Sequence, residues 1–166
     1  MHCQFSWEKD LQENGYAYQL LPQTRPLRSA EDGAAYFGIA VGQTAPVLLV
    51  EADASQRFLC LLAGDHGRLD LIKAATLLKV PKLTPVKYKK VYDITGFKPG
   101  NMPLFGLTFP CLFDEALLRY PLVYGGSGQE DLTLAVAPQA LLALHQIAAR
   151  LSFAEANRRE SQKETI

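Results

Sequence analysis

The chain has 166 residues and a mass of 18.3 kDa, with 17 basic and 17 acidic side chains that cancel to a formal net charge of zero. This length suits one domain with a sizeable core, and 48% hydrophobic against 20% charged residues excludes a disordered chain. Zero net charge excludes a protein that holds nucleic acid by bulk positive charge, although six lysines stand against the single acid Asp93 between Lys79 and Lys98. No apolar run reaches membrane-spanning length, and the stretch around His2, Glu8, Lys9 and Asp10 does not resemble a signal peptide, so a cytoplasmic protein is expected. Cys3, Cys60 and Cys111 are odd in number and widely separated, which reads as reduced thiols, the last two in the core.

In chain order, Phe5, Trp7 and Leu11 share a helical face that Gly15 ends, and the aromatic and aliphatic residues that alternate from Tyr16 to Leu21 read as a strand stopped by Pro22. Ser29 followed by Glu31 and Asp32 predicts a capped helix that closes at Gly38. Val47 to Val50 and Phe58 to Leu62 form a hairpin of core strands. After a turn at Gly64 to Gly67, Asp70 caps a helix with Leu71, Ala74, Ala75 and Leu78 on one face, and a further helix spans Val86 to Thr95 before Gly96. Pro110 to Phe113 and Leu122 to Tyr124 read as short strands around a brief helix capped by Asp114. Gly125 to Gly128 read as a tight turn, Leu132 to Val136 as a strand, and Pro138 opens a last helix whose apolar face runs from Leu141 through Ile147 and Ala148 to Leu151. The expected fold class is α+β, a mixed, mostly antiparallel sheet curled into a barrel with helices outside, in one domain over 1–156 with a polar tail at 157–166.

The stretch Thr95 to Gly106, T-G-F-K-P-G-N-M-P-L-F-G, alternates glycine and proline between apolar anchors. It is either an ordinary connection or a stiff loop that offers backbone amides to a small polar group. Conventional catalytic equipment is sparse. His2 is terminal, His145 falls within the predicted last helix, and His66 beside Asp65 is either a base or a solvated loop residue. No metal-ligand spacing occurs, no cofactor is implied, and the G-G-S-G at Gly125 to Gly128 joins strands rather than opening a helix, unlike a dinucleotide fingerprint. Two glycine-rich loops and a basic segment could bind a small polar ligand, or hydrolyse an already activated bond by placing water and stabilising an oxyanion.

Four pieces in order, G-D-H-G-R-L-D at Gly64 to Asp70, the Thr95 to Gly106 loop, F-P-C-L-F-D at Phe109 to Asp114 and Y-G-G-S-G at Tyr124 to Gly128, make the chain from about Leu11 to Leu144 resemble the YbaK family. That family includes free-standing aminoacyl-tRNA deacylases and the editing domain inserted in bacterial prolyl-tRNA synthetase. The resemblance implies an α+β barrel and hydrolysis of the ester joining a wrong amino acid to the tRNA 3′-terminal adenosine, with the tRNA's own hydroxyl helping to organise the attacking water. It implies a substrate pocket of Pro46, Gly100, Asn101, Met102, Pro103, Gly106, Gly125, Gly126 and Ser127, with Thr44 and Asp131 as candidate catalytic groups. Lys87, Lys89 and Lys90 would meet tRNA phosphates.

The departures from the family pattern are specific. Pro46 stands where many members carry a lysine, so a charged donor is lost. Pro103 comes one position early for the family's G-x-x-x-P loop, and Leu21 to Thr24 contain no counterpart of a family histidine or tyrosine. Two functions are therefore expected to compete. One is a trans-editing deacylase of a lysine-less branch, with aminoacyl-tRNA as partner, delivered alone or by a synthetase or other protein, and with no role for DNA or membrane. The other is a non-catalytic protein that binds tRNA or a small aminoacyl or nucleotide-like ligand. Oligomeric state is not legible in the sequence.

Overall fold

Local sequence signals build most of the elements in the computed structural model, which describes residues 3–153. The first helix, α1 (Ser6–Glu13), buries Trp7 and Leu11, and the Glu8 carboxylate accepts from the Phe5 N–H at 2.8 Å. Strand β1 (Tyr18–Pro22) follows. Helix α2 (Ala30–Phe37) begins where Ser29 Oγ accepts from the Asp32 N–H at 3.0 Å, and it ends at Gly38 in the left-handed region. Strands β2 (Val47–Asp53) and β3 (Gln56–Leu61) are the expected hairpin. Helix α3 (Leu71–Leu78) is capped by Asp70, a two-residue β4 (Thr84–Pro85) follows, and α4 (Tyr88–Thr95) stops at Gly96. Strand β5 (Cys111–Asp114) leads into a 3-10 turn at Glu115–Arg119, whose Ala116 N–H donates to Asp114 Oδ1 at 3.0 Å. Strands β6 (Val123–Gly126) and β7 (Leu132–Val136), helix α5 (Pro138–Leu144) and strand β8 (Ile147–Leu151) complete the described chain.

Two expectations are corrected here. The predicted last helix stops at Leu144, and Ile147–Leu151 is a strand laid parallel to β5, with Cys111 opposite Ile147 and Asp114 opposite Leu151. The apolar spacing that suggested helix also fits a strand with Ile147, Ala149 and Leu151 on its inner side, and pairing with a distant strand decides between them. Gly125 and Gly126 are not turn residues but the end of β6, paired with Leu134 and Thr133 of β7. The tail beyond Ala156 lies outside the described residues.

The fold is a mixed α+β arrangement with two sheets, β1-β7-β6 and β4-β2-β3-β5-β8. They meet along β6, where Tyr124 bridges to Thr44 and Gly126 to Pro103, and Ala45 N donates to Tyr124 O at 2.7 Å. Among the described residues no continuous ladder closes them into a barrel. Alternation along β2 and β3 sends Leu49, Leu59 and Leu61 to a core shared with Phe113, Leu134 and Leu141, while Val50, Phe58 and Cys60 face a second core with Ala74, Leu112 and Phe153. The larger sheet is thus buried on both faces, each fully covered leucine contributing about 1.5–3 kcal/mol, which makes the sheet junction a rigid base for the site. Burial pushes the Cys60 and Cys111 thiols up to about 12, so both are inert packing residues. Among the described residues no helix is long and apolar enough to cross a membrane.

Candidate functional site

Three segments distant in sequence converge where the sheets meet. In the loop after α4, Gly100 has φ 79°, and the Asn101 N–H donates to Lys98 O at 2.9 Å and Pro99 O at 2.8 Å, so the chain turns sharply. Met102 is buried and its sulfur accepts from Thr95 Oγ1 at 3.6 Å. The next residues lie directly on β6, with Leu104 N donating to Gly126 O at 2.9 Å. A Cβ on Gly126 would stand 2.3 Å from Met102 O, so the two glycines of β6 serve close backbone approach. The Asn101 amide is spent on the loop itself and the Leu104 amide on β6; those of Gly100 and Met102 stand outside these bonds.

The second segment enters β2. Thr44 is buried, its hydroxyl donates to Val41 O at 2.7 Å, and its carbonyl accepts from Gly64 N at 2.9 Å. A Cβ on Gly64 would lie 1.9 Å from Thr44 Oγ1, which explains the glycine that opens the Gly64 to Gly67 turn. Arg119 braces that turn through a two-pronged ion pair to Asp65, at 2.7 and 3.0 Å, and so holds the Asp65 carboxyl below its ordinary range. The third segment joins β1 to α2. Gln23 N donates to Asp131 O at 2.9 Å, and the Gln23 side chain bonds Thr133.

Together these segments enclose a cavity of about 620 Å³. Of the predicted pocket, Pro46, Gly100, Asn101, Met102, Gly125 and Gly126 line it, and so does Thr44. The remaining site residues lie elsewhere. Pro103 is buried in the bridge to β6, Gly106 sits 3.9 Å, by its virtual Cβ, from Trp7, and Ser127 Oγ donates to Leu132 O at 2.7 Å inside the turn before β7. Asp131 is exposed, with its carboxylate accepting from Gln129 Nε2 at 2.6 Å. Lys87, Lys89 and Lys90 are exposed at the start of α4, beside the exposed rings of Tyr88 and Tyr92.

The charged lining residues Arg28 and Glu130 carry no motif in the sequence, whereas His66 is already a candidate there as a base or a solvated loop residue. Arg28 comes from the loop before α2, Glu130 from the turn before β7, and His66 from the braced turn, its Nδ1 2.6 Å from Gly67 O. Ala30 and Gly33 of α2 form the facing wall. The available signals were local: Arg28 directly precedes the Ser29 cap, and Glu130 follows the G-S-G turn. A further, half-buried device holds the loop from behind. His145, just past α5, donates from Nε2 to Leu104 O at 2.6 Å, presents Nδ1 to Cys111 Sγ at 3.5 Å and stacks on Phe105 at 5.2 Å. Burial pushes the His145 imidazole below its ordinary pKa, the Leu104 carbonyl offsetting part of the shift.

Residues 24–144, which carry the loop, the β6 glycines and nearly all of the cavity, match the aminoacyl-tRNA editing domain. The chain belongs to the aminoacyl-tRNA editing domain family. Solved structures agree in fold. A candidate trans-editing enzyme for prolyl-tRNA synthetase is 29% identical, with a TM-score of 0.71 over 86% of this chain and 90% of that one. A scaffold protein used in the computational grafting of epitopes is 28% identical, with a TM-score of 0.69 over 87% of this chain and 91% of that one. The hypothetical protein APE2540, 24% identical, superposes with a TM-score of 0.76 over 86% of this chain and 95% of that one.

Proposed function

We propose that the protein is a cytoplasmic trans-editing hydrolase that cleaves the ester bond of mischarged aminoacyl-tRNA. The observation that carries this reading is the cavity itself, walled by the Gly100 to Met102 loop, the β6 glycines and the entry to β2, all within the family-matched segment. An aminoacyl ester is already activated, so placing the carbonyl against fixed N–H donors and water supplies much of what hydrolysis needs. The Gly100 and Met102 amides are the donors nearest that role, and Pro46 leaves the β2 side without a cation. Thr44, whose proton is committed to Val41 O, acts as a wall and a brace rather than as a nucleophile. Lys87, Lys89 and Lys90 meet backbone phosphates of the tRNA.

Gly33→Leu tests the site. The Gly33 Cβ position is 3.9 Å from both Leu27 and Thr44, so a side chain there fits the helix and projects among cavity residues. The expected result is a folded protein that no longer releases amino acid from mischarged tRNA; a folded, fully active variant would place the reaction elsewhere. The engaged Thr44 hydroxyl and the position of Asp131 off the cavity favour one second reading, a binding protein without catalysis. Binding of aminoacyl-tRNA with no hydrolysis above the buffer rate would support that reading instead.

A further inference from the structure

The cavity lining contains one permanent cation, Arg28, and one carboxylate, Glu130. Both stand on loops, both are exposed, and among the described residues neither has an ion-pair partner. Asp32, four residues after Arg28, accepts from both guanidinium arms of Arg25 at 2.9 Å and from the Arg28 backbone N–H at 3.0 Å. That fork, the Arg28 N–H and the positive charges of Arg25 and, least, Arg28 hold the Asp32 carboxyl down to about 2. At the other loop, Gln129 donates to the Asp131 carboxylate at 2.6 Å and occupies that acid outside the cavity. Arg28 and Glu130, neither in a close salt bridge among the described residues, are of opposite sign and border one otherwise mostly apolar and backbone-lined space.

We propose that Arg28 and Glu130 give the cavity a charge polarity that orients its ligand, Glu130 receiving a free α-ammonium and Arg28 the phosphate attached to the terminal nucleoside. The proposal rests on the aminoacyl-tRNA reading for the identity of the ligand. Its chemistry is that of a molecule with a primary ammonium at one end and a phosphate at the other, joined by an uncharged ester. A guanidinium matches phosphate with two parallel N–H donors, and an acceptor-only carboxylate matches an ammonium. The same polarity disfavours chains whose amine is already acylated, such as peptidyl or N-acetylaminoacyl esters, because an uncharged amide beside Glu130 forgoes the charge-assisted bond that an ammonium makes. Specificity for free aminoacyl groups over acylated ones therefore lies in a loop carboxylate, independently of side-chain size.

The test uses binding rather than turnover. The probes are four amide-linked, non-hydrolysable 3′-alanylamino-3′-deoxyadenosines, with the amine free or acetylated and the 5′-phosphate present or absent. Both side chains are exposed, so each charge match is expected to change Kd by about three- to five-fold. Wild-type protein binds the doubly charged probe most tightly. Glu130→Gln abolishes the difference between free and acetylated amines and leaves the phosphate effect intact, and Arg28→Ala does the reverse. Wild-type binding that is indifferent to either group, or a variant that keeps the preference assigned to its lost charge, overturns the proposal. Absence of deacylation with the charge preferences preserved would sink only the hydrolase reading.

Discussion

Gly126→Ala is the sharpest perturbation of the contact that shapes the cavity. A Cβ at this position would lie 2.3 Å from Met102 O, 3.0 Å from Met102 C and 3.4 Å from Pro103 Cα, all backbone atoms that cannot rotate away. Relief requires the Met102–Pro103 segment to retreat by about 1 Å, since ordinary carbon contacts sit near 3.5 Å. Overpacking of this kind costs about 1–3 kcal/mol, and losing the Leu104 N to Gly126 O bond adds about 1 kcal/mol. The variant should therefore be about 2–4 kcal/mol less stable, which for a chain of this size is a fall in Tm of about 5–15 °C. Thermal melts followed by circular dichroism read the change. Gly100→Ala is the control: its added Cβ meets nothing within 4 Å, so the cost is that of holding φ 79° alone, about 1 kcal/mol. A Gly126→Ala protein within 0.5 kcal/mol of wild type in urea titrations would refute the argument that these glycines exist for backbone approach.

Three other outcomes are expected. Lys79 ends α3 with φ 58°, the positive-φ non-glycine residue of the described chain, so Lys79→Gly should raise stability by about 0.5–1 kcal/mol in urea titration. The folded pKa of His145 lies below its unfolded value near 6.5, so its neutral form contributes stability that is present above that pH and is lost as pH falls from there towards the folded value. His145→Gln should be less stable at pH 8 but lose less between pH 7 and 5, and parallel Tm–pH curves would contradict this. Charge reversal at Lys89 and Lys90 should weaken tRNA binding and flatten its dependence on salt concentration, whereas unchanged slopes would leave them a solvated face.

The elements bounded by capping chemistry were legible in the sequence because their signals are local. Ser29 and Gly38 mark α2, Asp70 marks the start of α3 and Gly96 the end of α4, each through a bond or backbone conformation that involves residues within a few positions. Strand β8 was not legible, because its identity depends on parallel pairing with β5, more than thirty residues earlier, and its apolar spacing serves either structure. The β6 glycines differ from expectation for a related reason: Gly125 abuts Leu104 and Ala45, and Gly126 abuts Met102, rather than turn neighbours. Within the site, the loop and β6 residues were recognisable because glycine and proline advertise backbone work. Arg28 and Glu130 were hidden, since separate turns bring them to one cavity and each alone is an ordinary surface residue, whereas His66 stood out beside Asp65 without any sign that it lines this cavity. Asp131 was singled out, yet the neighbouring Glu130 is the acid that faces the cavity.

The central claim is that this cavity hydrolyses mischarged aminoacyl-tRNA, and single-turnover release of amino acid from a panel of mischarged tRNAs tests it most directly. With micromolar protein, the account predicts first-order loss of at least one aminoacyl ester well above the buffer rate, slower loss from the correctly charged tRNA, and no loss with Gly33→Leu. Decay indistinguishable from buffer for every member of the panel would contradict it.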